Sequence, residues 1–392
     1  MTPPRRLGVL LTHPVQYFGP MFRCLAEQPG VDLTVFFAHR PTAEEQGTGF
    51  GVAFQWDIDL LAGYESRFLA NVAARPSTST FMGCDTPAIA DVIARERFDA
   101  FLVMGWHAKS YWQAMRACWA TGTPVLVRGD SQLTDSRSSV RSWLRLVTHR
   151  RFIPRFAACL AVGVRSEEYF RYYGARSVFR SPHFVDNERF ARDAGGVDPA
   201  EIRRRWGVSP TAMVAGFVGK LVPKKRPLDL IEAVAVSGRD DIHVVYVGDG
   251  ELRQACRAAA ERLAVRTTFA GFQNQRELPS AYASFDVLVL PSDARETWGL
   301  VVNEAMACSK PVLVSSAAGC SPDLVLEGRT GYSFPVGDTR AIAARLTDLA
   351  SEPQHRARLG VGANSHIASY SASAAAAGVL EATARATYER AA

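Results

Sequence analysis

Short runs of apolar residues alternate along this chain with longer stretches in which apolar positions recur every three or four residues. In the first half the runs at 7–11, 32–37, 100–104, 124–127, 159–162 and 177–180 predict strands. Helical periodicity fills the intervals near 20–27, 87–96, 110–120, 139–156 and 166–173. The second half repeats the rhythm, with strands at 212–218, 243–247, 267–270, 287–290 and 311–314. Strands separated by helices imply parallel sheets with right-handed crossovers. The chain therefore reads as α/β with two Rossmann-like domains, 1–185 and 186–373, joined near the turn-forming residues 181–188. An alanine-rich helix closes the chain at about 374–392. Residues 39–80 fit the rhythm poorly. They hold Phe50, Phe54, Trp56 and Tyr64 without periodicity, and read either as a lid or acceptor loop or as an exposed insertion anchored by aromatics.

At 392 residues the chain exceeds one ordinary α/β core. Its 47% hydrophobic and 21% charged residues are those of a globular protein. A net charge of +6 and a pI near 9.0 favour phosphate-bearing ligands or an anionic surface. No nucleic-acid-binding pattern accompanies them, so no nucleic acid partner is expected. The seven cysteines are scattered without a CxxC, as in a reduced chain that uses them as small apolar residues, and no metal is expected. The N-terminus reads as a first strand and no run reaches membrane-spanning length, which predicts a cytoplasmic protein. Residues 136–155 carry Arg137, Arg141, Arg145, Arg150, Arg151 and Arg155, with Val140, Trp143, Leu144 and Val147 at helical spacing. Such a helix either packs its apolar stripe on the sheet or lies against the inner face of an anionic membrane, a peripheral contact over Arg137–Arg155. The sequence carries no signal of oligomeric state.

The densest chemistry lies at 291–307, PSDARETWGLVVNEAMA. This segment leaves a predicted strand, crosses a short loop and opens a helix at about Gly299. A helix N-terminus offers unpaired N–H groups and partial positive charge, which suits a diphosphate. Glu296 and Glu304 bracket that start with seven residues between them. A carboxylate one turn into a helix can accept two hydroxyl hydrogen bonds, as a ribose would supply. The arrangement resembles the E-x7-E motif of retaining, nucleotide-sugar-dependent glycosyltransferases of the GT-B type, family 4.

The resemblance implies a GT-B fold, with two Rossmann-like domains whose parallel sheets face an interdomain cleft. It implies that Glu304 holds the ribose, that Glu296 faces the donor sugar, and that the N–H groups of Gly299, Leu300 and Val301 cradle the diphosphate. Residues 216–226, GFVGKLVPKKR, look like the family's basic loop. There Lys220 stands in place of the usual arginine, Lys225 falls where a lysine is expected, and Arg226 replaces a glycine. Such a loop contributes little to a core, so replacing Lys225 is expected to cost turnover more than stability. Gly250 belongs to a glycine loop after the next strand, and Phe272 and Gln273 are base-pocket candidates. Cys320 departs from a second glycine common after Gly319.

In the first domain only Gly19 represents the paired glycines that relatives place near the diphosphate. His13 either contacts a sugar or is a hydrogen-bonded structural group. His107, Arg128 and Asp130 follow strand ends, where open parallel sheets bind ligands. Many relatives carry a histidine at the position of Arg128. Here Arg128 is either a substrate ligand or the partner of Asp130 in a buried salt bridge that shapes the loop. Asp130 would orient the acceptor hydroxyl, and His107 would take over part of the missing role.

The implied reaction moves a sugar from a nucleoside diphosphate, UDP favoured, to an acceptor hydroxyl on a saccharide, a natural product or a lipid-linked compound. It implies retention, no cofactor and no required metal, with the leaving diphosphate helping to deprotonate the acceptor. Asp57 and Asp59 form a DxD, the metal-holding pair of other glycosyltransferases, but lie far along the chain from the donor motifs. A nucleotide-sugar epimerase, a pseudo-glycosyltransferase or a non-catalytic binding protein would share the fold.

Overall fold

The computed structural model describes residues 4–133 and 140–391. Its strands are β1 Arg5–Leu11, β2 Val31–Phe37, β3 Glu65–Phe68, β4 Ala100–Val103, β5 Val125–Gly129, β6 Ala158–Ala161 and β7 Val178–Arg180, then β8 Met213–Val218, β9 Ile242–Val247, β10 Thr267–Gly271, β11 Val287–Leu290, β12 Val312–Ser315 and β13 Gly331–Phe334. They form two parallel sheets, ordered β3-β2-β1-β4-β5-β6-β7 and β10-β9-β8-β11-β12-β13. The chain is thus α/β with two Rossmann-like, doubly wound units. In each sheet the order reverses beside a central strand, at β1/β4 and at β8/β11, which is where such sheets open to ligands.

The central strands are buried end to end, as β8 and β9 show, because helices cover both faces. That is why they read as continuous apolar runs. The two strands missing from the sequence reading, β3 and β13, are both sheet edges of four residues. β3 reads ESRF, half exposed, and β13 reads GYSF, with Phe334 its one buried apolar side chain, so neither gives an apolar run to detect.

The compact units divide at different places from the sequence reading. One unit comprises Met1–Gln46, Asp59–His183 and Ala372–Ala392, and the other comprises Gly47–Ile58 and Phe184–Ser371. Residues 47–58, expected in the first domain, belong to the second because their aromatics pack there: Phe54 lies 4.3 Å and Phe50 5.1 Å from the Phe272 ring. The rest of the 39–80 stretch is built into the first unit, with Ala43–Gly47 a short helix and β3 pairing β2. The terminal helix Ala372–Ala391 also belongs to the first unit, where the Ala375 carbonyl accepts from Ser181 Oγ at 3.0 Å.

The basic segment packs on its unit by a different face from the one its spacing suggests. Arg137 lies outside the described residues, as do the side chains of Val140 and Arg141. In the helix Val140–Phe152 the inward face is Leu146, His149 and Phe152, which pack around Trp106 and Trp112. The stripe expected to pack, Trp143, Leu144 and Val147, is exposed, Trp143 at 61%. All seven cysteines are free thiols, six of them buried. No helix among the described residues is long and apolar enough to cross a membrane.

Gly378 shows how closely the terminal helix approaches the sheet. A Cβ there would sit 1.9 Å from the carbonyl oxygen of Arg180, so no side chain fits without moving backbone. Gly378→Ala should therefore destabilise by about 1–3 kcal/mol despite the helix preference for alanine, read as a lower urea midpoint at unchanged slope.

Candidate functional site

In the second unit the loops after β8, β11 and β12 converge on one ion pair. Lys225 Nζ lies 2.5 Å from Glu296 Oε2, with both side chains only 13% and 11% exposed. Ser292 Oγ donates to the same carboxylate at 3.2 Å. The loops are tied by backbone: Asp293 N–H donates to the Lys224 carbonyl, Gly319 N–H to that of Glu296, and Cys320 N–H to that of Trp298. Cys320 is thus a buried part of the loop crossing rather than a point of approach.

The helix Leu300–Ala307 starts beside this pair. Gly299 caps it at φ 105°, and a Cβ there would meet Leu290 Cδ2 at 2.7 Å, so only glycine suits the position. Among the described residues, the N–H groups of Gly299, Leu300 and Val301 donate to no protein acceptor. No acidic residue occupies the first turn. Unspent donors, the positive end of a helix and a lysine form a ready anion cradle.

Glu304 lies one turn into this helix, as expected, but is closed in. It is 1% exposed, and the Tyr282 hydroxyl donates to its Oε2 at 2.5 Å. As the protein stands, this carboxylate is closed to solvent. Lys220 is also engaged: its ammonium donates to the Thr48 carbonyl at 2.6 Å and lies 4.6 Å over the Phe50 ring. Burial, then Lys224 and Lys225, lowers its pKa. Phe272 carries Phe50 and Phe54 on its face, while the neighbouring Gln273 Oε1 is buried with no hydrogen-bond partner. Gly250 packs against the β8 loop, where a Cβ would lie 2.6 Å from the Leu221 carbonyl oxygen. Asp57 of the DxD accepts from Arg276 N–H, and Asp59 caps the turn at Leu61. No group of three potential metal ligands occurs among the described residues.

In the first unit the ends of β4 to β7 and the loop after β1 enclose a cavity of about 330 Å³. His107, Arg128, Asp130 and His183 line it, with Phe18 and Trp106. Arg128 is 3% exposed and donates to Ser181 Oγ at 3.1 Å and the Pro182 carbonyl at 2.9 Å. Of the two alternatives for Arg128, the salt bridge with Asp130 does not form; Asp130 lies 4.0 Å from His183 Nε2. Gly19 opens the helix Gly19–Ala26, facing the Leu60 carbonyl at 3.3 Å from a notional Cβ. His13 pairs with Thr12 Oγ1 at 3.0 Å, and burial, reinforced by His39 and His107, lowers its pKa to about 4. Burial likewise lowers His107, and lowers His183 to about 3 with help from Arg128. His183 and Ser292 escaped the sequence reading although both follow strand ends. Tyr282, inside a helix, gave no signal at all.

Residues 198–366 match the family model of the glycosyl transferases group 1. The matched residues lie within the second unit. Over 182 residues the chain is 37% identical to a GDP-mannose-dependent alpha-mannosyltransferase of Mycobacterium tuberculosis (strain CDC 1551 / Oshkosh), covering 46% of this chain and 44% of that protein. It is 34% identical over 210 residues to a D-inositol 3-phosphate glycosyltransferase of Streptomyces scabiei (strain 87.22), covering 50% and 46%. The chain spans about half the length of the curated relatives it matches. The crystal structure of Anabaena Alr3699/HepE in complex with UDP superposes with a TM-score of 0.71 at 18% identity, over 96% of this chain and 98% of that one. The fold is that of the GT-B glycosyltransferases.

The buried pair changes what replacing Lys225 does. Lys225→Ala strands Glu296 among buried groups, so it should lower stability by about 2–4 kcal/mol in chemical denaturation, with Lys225→Ala/Glu296→Gln recovering much of the loss. Stability should also fall with acid. His13 and His183 titrate lower in the folded state than when unfolded, so the unfolded chain binds protons first as pH drops below about 6.5. Stability is full above that value and is lost toward pH 4, and a melting temperature unchanged between pH 7 and 5 would contradict it.

Proposed function

We propose that the protein is a retaining glycosyltransferase of family 4 that moves a hexose from a nucleoside diphosphate to an acceptor hydroxyl. One observation carries the reading: Lys225 and Glu296 meet at the unspent N-terminus of the Leu300–Ala307 helix, inside the segment that matches the glycosyl transferases group 1. The helix N–H groups and Lys225 take the diphosphate, and Lys220 adds charge once Thr48 releases it. As the glycosidic C–O bond breaks, negative charge grows on the departing phosphate, where these donors stabilise it. Glu296, relieved of Lys225, accepts a hydroxyl of the donor sugar. The diphosphate oxygen then takes the acceptor proton on the same face, without a metal or a protein nucleophile.

Glu304 is assigned to the ribose. That role requires the Tyr282 hydroxyl to yield or share the carboxylate. Phe272 and Gln273 are assigned to the base, with Gln273 Oε1 as an acceptor awaiting a donor. The preference for UDP is not kept. The relatives' names put GDP-mannose first among donors to try, and UDP second.

Acceptors bearing a lipid fit the first unit's surface. Trp143, Leu144 and Val147 are exposed beside Arg145, Arg150 and Arg151, which suits shallow contact with an anionic membrane. Sedimentation with anionic vesicles should be weakened by replacing Arg150 and Arg151 and abolished by adding Trp143→Ser. Equal sedimentation of the triple variant would remove the membrane from the proposal.

Calorimetry with GDP, UDP and ADP tests the donor site. One base should bind at least about tenfold more tightly than the others, and Glu304→Gln should weaken it by about tenfold or more while leaving the fold intact. No binding of any nucleotide or nucleotide sugar would sink the proposal in favour of a non-catalytic protein.

A further inference from the structure

Arg128 is a buried cation whose protein partners are both neutral. Nε donates to the Ser181 hydroxyl and Nη2 to the Pro182 carbonyl, while the Phe18 ring lies 5.4 Å from the guanidinium carbon. No carboxylate among the described residues forms an ion pair with it. Burial lowers its pKa to about 10, with Asp130 opposing that shift without reaching ion-pair distance, so it stays charged at neutral pH. A guanidinium has five N–H donors; among the described residues this one spends two, and Nη1 spends none. Nature seldom leaves a buried charge so poorly compensated unless a ligand completes it.

The surroundings indicate which ligand. Arg128 lines the 330 Å³ cavity with His107, Asp130 and His183. Both histidines are neutral at pH 7, so each ring can donate through one nitrogen. Asp130 is 46% exposed and would repel a bare anion, yet would accept a hydroxyl beside one. An oxyanion with an adjacent hydroxyl is the chemistry of a phosphorylated sugar or a sugar acid.

We propose that this cavity binds the oxyanion of a charged saccharide, a phosphate or a carboxylate, with Arg128 gripping two oxygens, His107 and His183 as further donors, and Asp130 accepting a neighbouring hydroxyl. The saccharide part rests on the glycosyl-transfer reading; the oxyanion part does not. A guanidinium suits this task because its fork matches two oxygens at once, which an ammonium cannot do.

The test is calorimetry on the full chain with glucose 6-phosphate, glucuronate and glucose. At least one charged sugar should bind about tenfold or more tightly than glucose, and the tighter of the two names the oxyanion. Arg128→Gln should lose that advantage, Arg128→Lys should keep only part of it, and GDP or UDP affinity should stay within about twofold. Equal binding of glucose and both charged sugars, or an undiminished advantage in Arg128→Gln, would overturn the proposal. If Arg128→Gln fails to fold, the wild type decides by NMR. The charged sugar but not glucose should shift the ring protons of His107 and His183 and raise their pKa, and unmoved resonances would overturn the proposal. Failure of nucleotide binding in the wild type would sink the donor reading while leaving this site standing.

Discussion

The second unit is organised around a lysine and a glutamate that water hardly reaches. A pair such as Lys225 and Glu296 gives up hydration on both sides and recovers it only through close approach and further hydrogen bonds. Ser292 and the crossed loops at 293, 296 and 319 supply the frame that keeps the two in register. The same frame holds the start of the Leu300–Ala307 helix open, so its N–H groups are fixed before any ligand arrives. A polyanion entering there does not meet two separate lysines waiting in solvent. On the proposed reading it meets one paired with Glu296, and seating a diphosphate there would exchange that carboxylate for a phosphate and release Glu296.

The first unit makes the complementary use of charge. Its cavity also lies at strand ends, yet among the described residues no carboxylate forms an ion pair with its cation. Lys225 is neutralised by Glu296, whereas Arg128 has no ion pair among the described residues and only the more distant charge of Asp130. The two sites therefore differ in cost. On the readings proposed above, one would exchange partners, and the other would gain an anion that the described residues do not pair with it.

The parts of this arrangement that were legible in sequence follow from burial and from topology. β8, β9 and β11 read as strands because both faces are covered, and Lys225, Glu296, His107 and Arg128 could be placed because loops after such strands share one edge of a sheet. β3 and β13 could not, since four residues at an edge with few apolar side chains carry no period. Partners distant along the chain were equally hidden. Nothing at position 282 announces a hydroxyl for Glu304, and nothing at 48–54 announces cover for Lys220 and Phe272. The basic helix misled for a related reason. A stripe at helical spacing says that one face is apolar, but Leu146, His149 and Phe152 made an equally good inner face and left Trp143 outside.

Residues 47–58 leave the first unit, cover part of the second, and return. Phe54 thereby packs on a residue 218 positions later, and the Gln55 carbonyl accepts from Asn274 in the same way. The polypeptide crosses between the units four times, at 46/47, 58/59, 183/184 and 371/372. No single cut separates it into two self-sufficient halves. A fragment beginning at 184 would present Phe272 bare and Lys220 unanchored. During synthesis, likewise, the early aromatic segment must wait for most of the chain before its own packing surface exists.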